Sequence, residues 1–339
     1  MNIPENKSKL FTSNFWKNNN LDYILLTENV SRQWLTNFQT SSGFILLSKH
    51  WMKPKLFLDA RYFTEAQVKV KNCDLEKLEN FTVFLRKLNG KVGFEDAVTH
   101  LFFQKLAKIN KNIDLTPFSL ANLRMIKSAS EISHLRKICH LTKQIWQKVV
   151  LFVQEPKTEK EVERFIINQF LQNEVNELSF LPIVSSDKRS AFIHTSATKE
   201  LIKENLLCDF GGKWNGYCSD FTRTLILNPQ SKLNSYFQIV EKVHKKVISH
   251  IKPGVKVSEL ALIADEIYLE NNLELKHALG HGIGLEVHEK LIISQQNDLV
   301  LQPGMVFTIE PGIYLSNLGG IRIEDVILVT KTGYEILTN

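Results

Sequence analysis

The sequence predicts a small α/β domain followed by a larger α+β domain. Over the first 120 or so residues, short strand-like runs alternate with helical runs, as in α/β folds. The rest of the chain has long amphipathic helices between groups of strand-like segments, which favours α+β. The chain has 339 residues, 43% of them hydrophobic and 23% charged, typical of a soluble two-domain protein. We place the domains at residues 1–122 and 123–339.

Local patterns predict the elements of the first domain. Apolar runs at residues 43–47, 55–58 and 91–94 are typical of short strands, because each is too short for a helix and is bounded by polar or turn-forming residues. Residues 60–70 and 81–88 have helical periodicity. Strands and helices therefore alternate as an α/β domain requires.

Helix-start signals mark the second domain. Ser128 with Glu131, and Thr158 with Glu161, form two capping-box patterns, in which each side chain can satisfy a backbone amide of the first turn. Two further helices are predicted at residues 236–251 and 258–270. Strands are predicted at residues 178–184, 206–210, 217–227, 306–314 and 320–329.

Composition argues against several functional classes. The formal net charge is +6, but most basic residues are Lys, whereas Arg is preferred for phosphate contacts. We expect a solvated basic surface and no nucleic-acid partner. The first twenty residues are polar and lack the apolar segment of a signal peptide, and no apolar run approaches membrane-spanning length. We expect a cytoplasmic protein, with its four cysteines buried as reduced thiols.

A first hairpin carries two aspartates. Asn215 and Gly216 strongly indicate a turn between strands ending at Asp209 and beginning near Asp220. A four-residue loop at 213–216 would place Asp209 directly opposite Asp220, on one face of the hairpin. A strict two-residue Asn-Gly loop would shift that register by two residues, so direct opposition requires the longer loop or a bulge.

A second hairpin repeats the arrangement with glutamates. Glu310 and Glu324 are equidistant from Asn317, so a symmetric hairpin would place them opposite one another. Arg322 lies two residues before Glu324 and therefore points to the same face. At an effective dielectric of about 20, each opposed pair costs roughly 3 kcal/mol. Protonation or divalent cations would relieve this repulsion.

Histidines could add a nitrogen ligand to the four carboxylates. His277, His281 and His288 lie in a glycine-rich segment, in which Gly280, Gly282 and Gly284 allow a ligand or a second strand to approach closely. Four carboxylates and an imidazole suit Mn²⁺, Fe²⁺, Co²⁺ or Zn²⁺. Two such ions about 3.5–4 Å apart can activate a hydroxide.

These motifs resemble the pita-bread metallopeptidase family, which includes aminopeptidase P, prolidase and methionine aminopeptidase. Order and spacing agree over about 115 residues, in Asp209-Phe-Gly, Ser219-Asp220-Phe-Thr-Arg-Thr, His281-Gly-Ile-Gly, Val287-His288-Glu289, Thr308-Ile-Glu310-Pro-Gly and Gly320-Ile-Arg322-Ile-Glu324-Asp. More loosely, Ser31-Arg-Gln-Trp-Leu-Thr-Asn-Phe and Leu58-Asp-Ala-Arg-Tyr62 resemble the creatinase-like N-terminal domain. The implied catalytic domain has two-fold related helices on a curved antiparallel sheet.

The resemblance implies roles for individual residues. Asp209 would bind one metal, Asp220 and Glu324 would bridge two, and His281 and Glu310 would complete the set. Glu310 would also take the proton of the attacking water. Contact with the substrate carbonyl and the tetrahedral intermediate is implied for His194, His277 and His288, and support of the ligand carboxylates for Arg322.

The implied function is an Xaa-Pro aminopeptidase that removes the N-terminal residue from small peptides with proline second. Two divalent ions are expected, manganese first and cobalt, zinc or iron as alternatives, in a homodimer. The rival interpretations are an Xaa-Pro dipeptidase (prolidase), a methionine aminopeptidase and a non-catalytic binding protein. The N-terminal domain, and the absence of a Cys-His-Gly motif near His194, disfavour methionine removal.

Overall fold

The computed structural model of the chain describes residues 5–339, so the first four residues of the polar N-terminal segment lie outside it. Contacts within the chain divide it into two compact units, Met1–Arg124 and Met125–Asn339. The boundary between them lies between Arg124 and Met125.

The N-terminal unit is a six-stranded mixed sheet with helices. Its strands are β1 (Tyr23–Leu26), β2 (Phe44–Ser48), β3 (Lys55–Leu58), β4 (Asp74–Lys77), β5 (Gly90–Glu95) and β6 (Ile113–Phe118). Their order is β4-β3-β2-β1-β5-β6, with β1–β2 and β2–β3 antiparallel and the other pairs parallel. The helices are α1 (Glu5–Ser8), α2 (Ser13–Asn19), α3 (Asn29–Thr36), α4 (Ala60–Lys69), α5 (Phe81–Arg86), α6 (His100–Ile109) and α7 (Ala121–Arg124).

One core cluster of this unit lies between the sheet and helices α5 and α6. Leu25, Leu46 and Phe57 from the strands pack with Phe81 of α5 and Leu106 of α6. Parallel strand pairs linked through helices confirm the predicted α/β class.

The C-terminal unit combines four long helices with antiparallel strands. The helices are α8 (Ala129–Phe152), α9 (Glu159–Gln172), α10 (Leu233–Ser249) and α11 (Val257–Glu270). The strands are β7 (Ile183–Ser186), β8 (Asn205–Asp209), β9 (Lys213–Trp214), β10 (Tyr217–Cys218), β11 (Thr222–Ile226), β12 (Gly280–Gly282), β13 (Glu289–Ile293), β14 (Val306–Ile309), β15 (Gly312–Leu315), β16 (Gly319–Arg322), β17 (Asp325–Val329) and β18 (Tyr334–Ile336).

Each half of this unit packs a helix pair on its own sheet. Helices α8 and α9 cover the sheet β11-β8-β7 through a core that includes Ile145 and Val184. Helices α10 and α11 cover the sheet β13-β12-β14-β17-β18 through a core that includes Val247 and Phe307. All strand pairs among the described residues of this unit are antiparallel. The predicted α+β architecture is confirmed.

Both predicted capping boxes are present at the starts of α8 and α9. The Ser128 hydroxyl accepts a hydrogen bond from the Glu131 amide, and the Glu131 carboxylate accepts one from the Ser128 amide. We expect Ser128→Ala to lower the free energy of unfolding by about 1 kcal/mol, because an amide of the first turn loses its acceptor. Urea unfolding measures this loss, and an unchanged midpoint would contradict it.

Three of the predicted strands are broken and a fourth is shorter. The segment 217–227 is interrupted at residues 219–221, 306–314 at 310–311 and 320–329 at 323–324. Pro311 explains one break, because it has no amide to donate to a strand partner. The predicted strand at 178–184 is wrong in its first part, since β7 begins only at Ile183.

The predicted state of the cysteines is confirmed. Cys73, Cys139, Cys208 and Cys218 are all unpaired and buried. Burial raises the pKa of the Cys73 and Cys218 thiols to about 12.

Within residues 5–339, no helix combines the length and the hydropathy that crossing a membrane requires.

Candidate metal centre and active site

A cavity of about 570 Å³ in the C-terminal unit gathers every site residue that the sequence predicted. These are the five candidate ligands and the four other polar residues: Asp209, Asp220, His281, Glu310, Glu324, His194, His277, His288 and Arg322. They come from segments up to 130 positions apart, so the fold, and not the local sequence, brings them together.

The first hairpin has a different register from the one expected. Asn215 and Gly216 both have positive φ, 50° and 83°, which is the geometry of a two-residue hairpin turn. Trp214 therefore pairs with Tyr217, and in the same register Asp209 pairs with Thr222. The prediction that Asp209 lies directly opposite Asp220 is wrong. Asp220 is a diagonal neighbour, two residues along, which still leaves both carboxylates on one face.

The second hairpin has the predicted register. Gly312 pairs with Arg322 and Leu315 with Gly319 in β15–β16, and Ile309 pairs with Asp325 in β14–β17. All three pairs are centred on Asn317. Glu310 and Glu324 lie between these two ladders, at matching positions of the same register.

Three of the four candidate carboxylates lie where one strand ends and the next has not begun. Asp209 is the last residue of β8, and Asp220 lies in the gap between β10 and β11. Glu310 separates β14 from β15, and Glu324 separates β16 from β17. At these positions the backbone leaves the regular ladder, and the side chains line the cavity.

His281 is on β12, which is flanked closely on both sides. Gly280 pairs with Ile293 of β13, and a Cβ on it would lie 1.9 Å from the Thr308 carbonyl oxygen. The predicted role of Gly280, to let a neighbouring strand approach, is confirmed. The amide of His281 donates to the Thr308 hydroxyl at 3.0 Å, which fixes the backbone of this candidate ligand.

Three of the five candidate ligands form a tight group, and a fourth, Glu310, lies beside His281. One ligand atom each of Asp220, His281 and Glu324 lie within 4.8 Å of one another. His281 Nε2 is 3.6 Å from Asp220 Oδ2 and 3.5 Å from Glu310 Oε1. The Thr222 hydroxyl donates to Glu324 Oε2 at 2.7 Å, orienting that carboxylate.

The electrostatics of the group favour an added cation. Burial, and then the neighbouring carboxylates, raise the pKa values of Asp220 and Glu324 well above their usual range. Burial also raises the pKa of Glu310 to about 7. Burial, and then His288, lower the pKa of His281 to about 4, which keeps the imidazole neutral with a lone pair available. Without a metal, the buried carboxylates are costly to ionise.

The residues present fit a divalent metal centre. Asp209 Oδ2 accepts from Arg322 Nη2 at 2.6 Å, whereas Asp209 Oδ1 is buried without a hydrogen-bond partner. A buried carboxylate oxygen in that state requires an explanation, of which a bound ion is one. The donor set of four carboxylates and one neutral imidazole suits Mn²⁺, Fe²⁺, Co²⁺ or Zn²⁺.

Arg322 belongs to a polar network that includes a residue the sequence analysis missed. Arg322 Nη1 donates to the Tyr314 hydroxyl at 2.8 Å, and that hydroxyl lies 2.9 Å from His277 Nε2. Burial raises the pKa of Tyr314 to about 12, so Tyr314 is a neutral link between His277 and Arg322. The signal was available, because Tyr314 shares a face with Glu310 in the correctly predicted register.

The four histidines differ in environment. His277 is held by the Ala278 carbonyl at 2.8 Å and by Tyr314. The rings of His281 and His288 lie 4.2 Å apart in an edge-to-face arrangement. His194 and His288 are exposed in the cavity, where a bound peptide could contact them.

An apolar wall completes the cavity and was not predicted. It consists of Phe180, Leu181, Ile183, Ile193 and Val287. Phe180, Leu181 and Ile183 lie in the segment 178–184 that was predicted as a strand, but that prediction did not indicate that they line a cavity.

Known families match both units. Residues 133–331 match metallopeptidase family M24, and residues 13–126 match the creatinase/prolidase N-terminal domain. The chain belongs to metallopeptidase family M24. The expected pita-bread fold with a creatinase-like N-terminal domain is thereby confirmed, as is the expectation of a metal-dependent peptidase.

Individual M24 relatives extend over the whole chain. An Xaa-Pro dipeptidase from Pyrococcus horikoshii is 32% identical over 348 residues, covering 100% of this chain and 98% of the relative. The structure of an Xaa-Pro dipeptidase from Bacillus anthracis is 30% identical with a TM-score of 0.91, covering 99% of this chain and 97% of that one. An X-Pro aminopeptidase structure from Thermotoga maritima is 27% identical with a TM-score of 0.86, covering 94% and 96%.

Proposed function

We propose that this M24 protein is an Xaa-Pro aminopeptidase that uses two divalent metal ions to remove the N-terminal residue from peptides with proline second. The gathering of four carboxylates and four histidines in one cavity supports a hydrolytic site. The relatives named for cleavage at Xaa-Pro support the substrate class.

The candidate ligands would hold the ions as the sequence predicts. Asp209, Asp220, His281, Glu310 and Glu324 supply the donor atoms. Divalent ions in such a site lower the pKa of water and polarise a carbonyl oxygen. Arg322 holds Asp209 in place through its 2.6 Å hydrogen bond.

Proton transfer and stabilisation of the oxyanion are assigned to Glu310 and to the histidines around the candidate ligands. Glu310, whose carboxylate lines the cavity 3.5 Å from His281 Nε2, would take the proton of the attacking water as a positioned general base. His194 and His288 would donate hydrogen bonds to the developing oxyanion or a proton to the departing proline nitrogen. His277, bound to Ala278 and Tyr314, would act from a fixed position.

One observation carries the choice of aminopeptidase. A dipeptidase must bind the free carboxylate of the proline residue, for which a cation is the natural partner. Within residues 5–339, the cavity lining contains a single Lys or Arg, Arg322. Its guanidinium already donates to Asp209, Thr222 and Tyr314. A longer peptide, whose proline is followed by an amide bond, does not need such a partner.

The dipeptidase remains a second candidate because of the relatives. The proteins from Pyrococcus horikoshii and Bacillus anthracis are both named Xaa-Pro dipeptidases. Both cover almost the whole of this chain, which supports an Xaa-Pro dipeptide as the alternative substrate.

Paired substrates test the proposal. We expect chelator-treated protein to be inactive, and Mn²⁺, Co²⁺ or Zn²⁺ to restore cleavage of Xaa-Pro-Xaa′ at least tenfold faster than cleavage of Xaa-Pro at equal concentration. The readout is chromatographic release of the first residue. The opposite preference would make the chain a dipeptidase, and no cleavage of either peptide by metal-loaded protein would refute both.

The other expectations are tested in the same preparations. We propose manganese as the physiological ion, to be compared by activity per bound ion, and a homodimer, to be measured by analytical ultracentrifugation. The cytoplasmic location stays a prediction.

A further inference from the structure

His194 lies on a segment with little regular structure. A short 3-10 turn, Asp187–Ala191, precedes it, and irregular backbone follows until β8 begins at Asn205. His194 itself is exposed in the cavity. Irregular exposed segments open easily unless specific contacts hold them, so the position of His194 depends on what anchors this loop.

One fully buried carboxylate joins the two ends of the loop. Glu159, the first residue of α9, is 0% exposed. Its Oε1 accepts from the amide and hydroxyl of Ser186 at 2.8 and 2.9 Å. Its Oε2 accepts from the amide and hydroxyl of Thr198 at 2.9 and 2.8 Å. Ser186 and Thr198 bracket the segment that carries His194.

An arginine connects this carboxylate to the residues beside His194. Arg189 Nε lies 3.3 Å from Glu159 Oε2. Arg189 Nη2 donates to the Thr195 hydroxyl at 3.1 Å and to the Ser196 carbonyl at 2.8 Å. Thr195 and Ser196 directly follow His194, so the chain of contacts from Glu159 ends next to the histidine.

The start of α9 does not require the hydrogen bonds that Glu159 accepts. An acidic residue in the first turn of a helix is stabilising when exposed to solvent, whereas burying a charge is costly unless several donors satisfy it. Four donors from the loop ends and one guanidinium satisfy Glu159. The capping of α9 is performed separately by Thr158 and Glu161.

We propose that Glu159 is a positioning residue, which together with Arg189 closes the loop 187–197 and sets His194 against the substrate carbonyl. The inference rests on the proposed function in one respect, the contact of His194 with substrate. The closure of the loop is independent of it.

The central variant is Glu159→Gln, which keeps the size of the side chain but replaces one acceptor oxygen by an amide NH2 group, a donor that would face other donors. We expect kcat for the Xaa-Pro-Xaa′ peptide to fall about 10–100-fold with KM changed less than threefold, because small displacements of a reacting group can cost up to about 10²-fold. Arg189→Lys, which keeps the charge but loses the fork toward Thr195 and Ser196, should lower kcat in the same way but less.

A double variant separates positioning from general damage. His194→Ala should lower kcat, and adding Glu159→Gln to it should cost less than a further threefold, since the residue being positioned is already gone. If the two losses multiply, Glu159 does not act through His194, and the proposal is overturned. Glu161→Gln, at the same helix end but outside the loop contacts, is the matched control and should leave kcat within twofold.

Hydrogen–deuterium exchange tests loop closure without using activity. Peptides covering residues 187–199 should exchange at least tenfold faster in metal-loaded Glu159→Gln than in the wild type, while peptides from α10 and α11 stay unchanged. Unaltered exchange in that segment would overturn the proposal. Wild-type protein that cleaves neither peptide would refute the proposed function, yet the exchange result would still decide whether Glu159 closes the loop.

Discussion

Asp220→Asn is expected to lower kcat at least about 10³-fold and to reduce the amount of bound metal. Asp220 lies within 4.8 Å of ligand atoms from His281 and Glu324, and Asn supplies a neutral oxygen in place of a carboxylate. Losing about 4 kcal/mol of transition-state stabilisation corresponds to a factor of about 10³, and metal ions contribute several kcal/mol to hydrolysis. The measurements are steady-state kinetics at saturating Mn²⁺ and metal content after dialysis.

The same substitution should stabilise the metal-free protein. Burial and neighbouring carboxylates raise the pKa of Asp220 in the folded state, so this group binds its proton more tightly when folded than when unfolded. Its contribution to stability is present at low pH and declines as the pH rises above the unfolded-state pKa. At pH 7 the chelated variant should therefore have a higher Tm than chelated wild type. A lower Tm would contradict the electrostatic cost assigned to buried Asp220. Full activity with the wild-type metal content would contradict the assignment of Asp220 as a ligand.

A carboxylate outside the centre provides the control. Asp298 is exposed, with the Ser258 hydroxyl and Lys256 as partners. Asp298→Asn removes one negative charge, as Asp220→Asn does. It should change neither the metal content nor kcat by more than twofold.

The two hairpins show how far the sequence could predict the site. For the second, the positions of Glu310 and Glu324 about Asn317 defined the register, and the strands on both sides follow it. For the first, the choice between a two-residue and a four-residue loop determined the register. Asn215 and Gly216 adopt positive φ together, which selects the shorter loop. Asp209 therefore pairs with Thr222 and not with Asp220.

Irregular segments account for what could not be predicted. The breaks that place Asp220 and Glu324 interrupt segments that the sequence pattern predicts as continuous strands. The contacts of Glu159 with Ser186 and Thr198 join positions 27 and 39 residues apart. Sequence patterns give the face of an element, but such contacts depend on how elements pack. Tyr314, by contrast, could have been found from the register alone.

A buried ion pair between Lys127 and Glu289 lies next to the histidine-rich segment, and we expect its loss to destabilise the fold strongly. Lys127 Nζ lies 3.0 Å from Glu289 Oε2, with only 2% and 4% of the two side chains exposed. Glu289 Oε1 also accepts from the Leu285 amide at 3.0 Å, and Glu289 directly follows His288. We expect Lys127→Met to lower the free energy of unfolding by about 3–5 kcal/mol, because it removes the ammonium from a buried carboxylate. Urea unfolding of the metal-loaded protein measures the loss.

An exposed pair of the same length distinguishes burial from charge alone. Lys245 and Glu241 lie 3.0 Å apart on α10 with side chains 69% and 46% exposed, and Lys245→Met should cost less than about 1 kcal/mol. Adding Glu289→Gln to Lys127→Met should recover part of the loss, since the buried negative charge is then gone. Equal costs for the two lysines would mean that the buried pair contributes no more than a surface one.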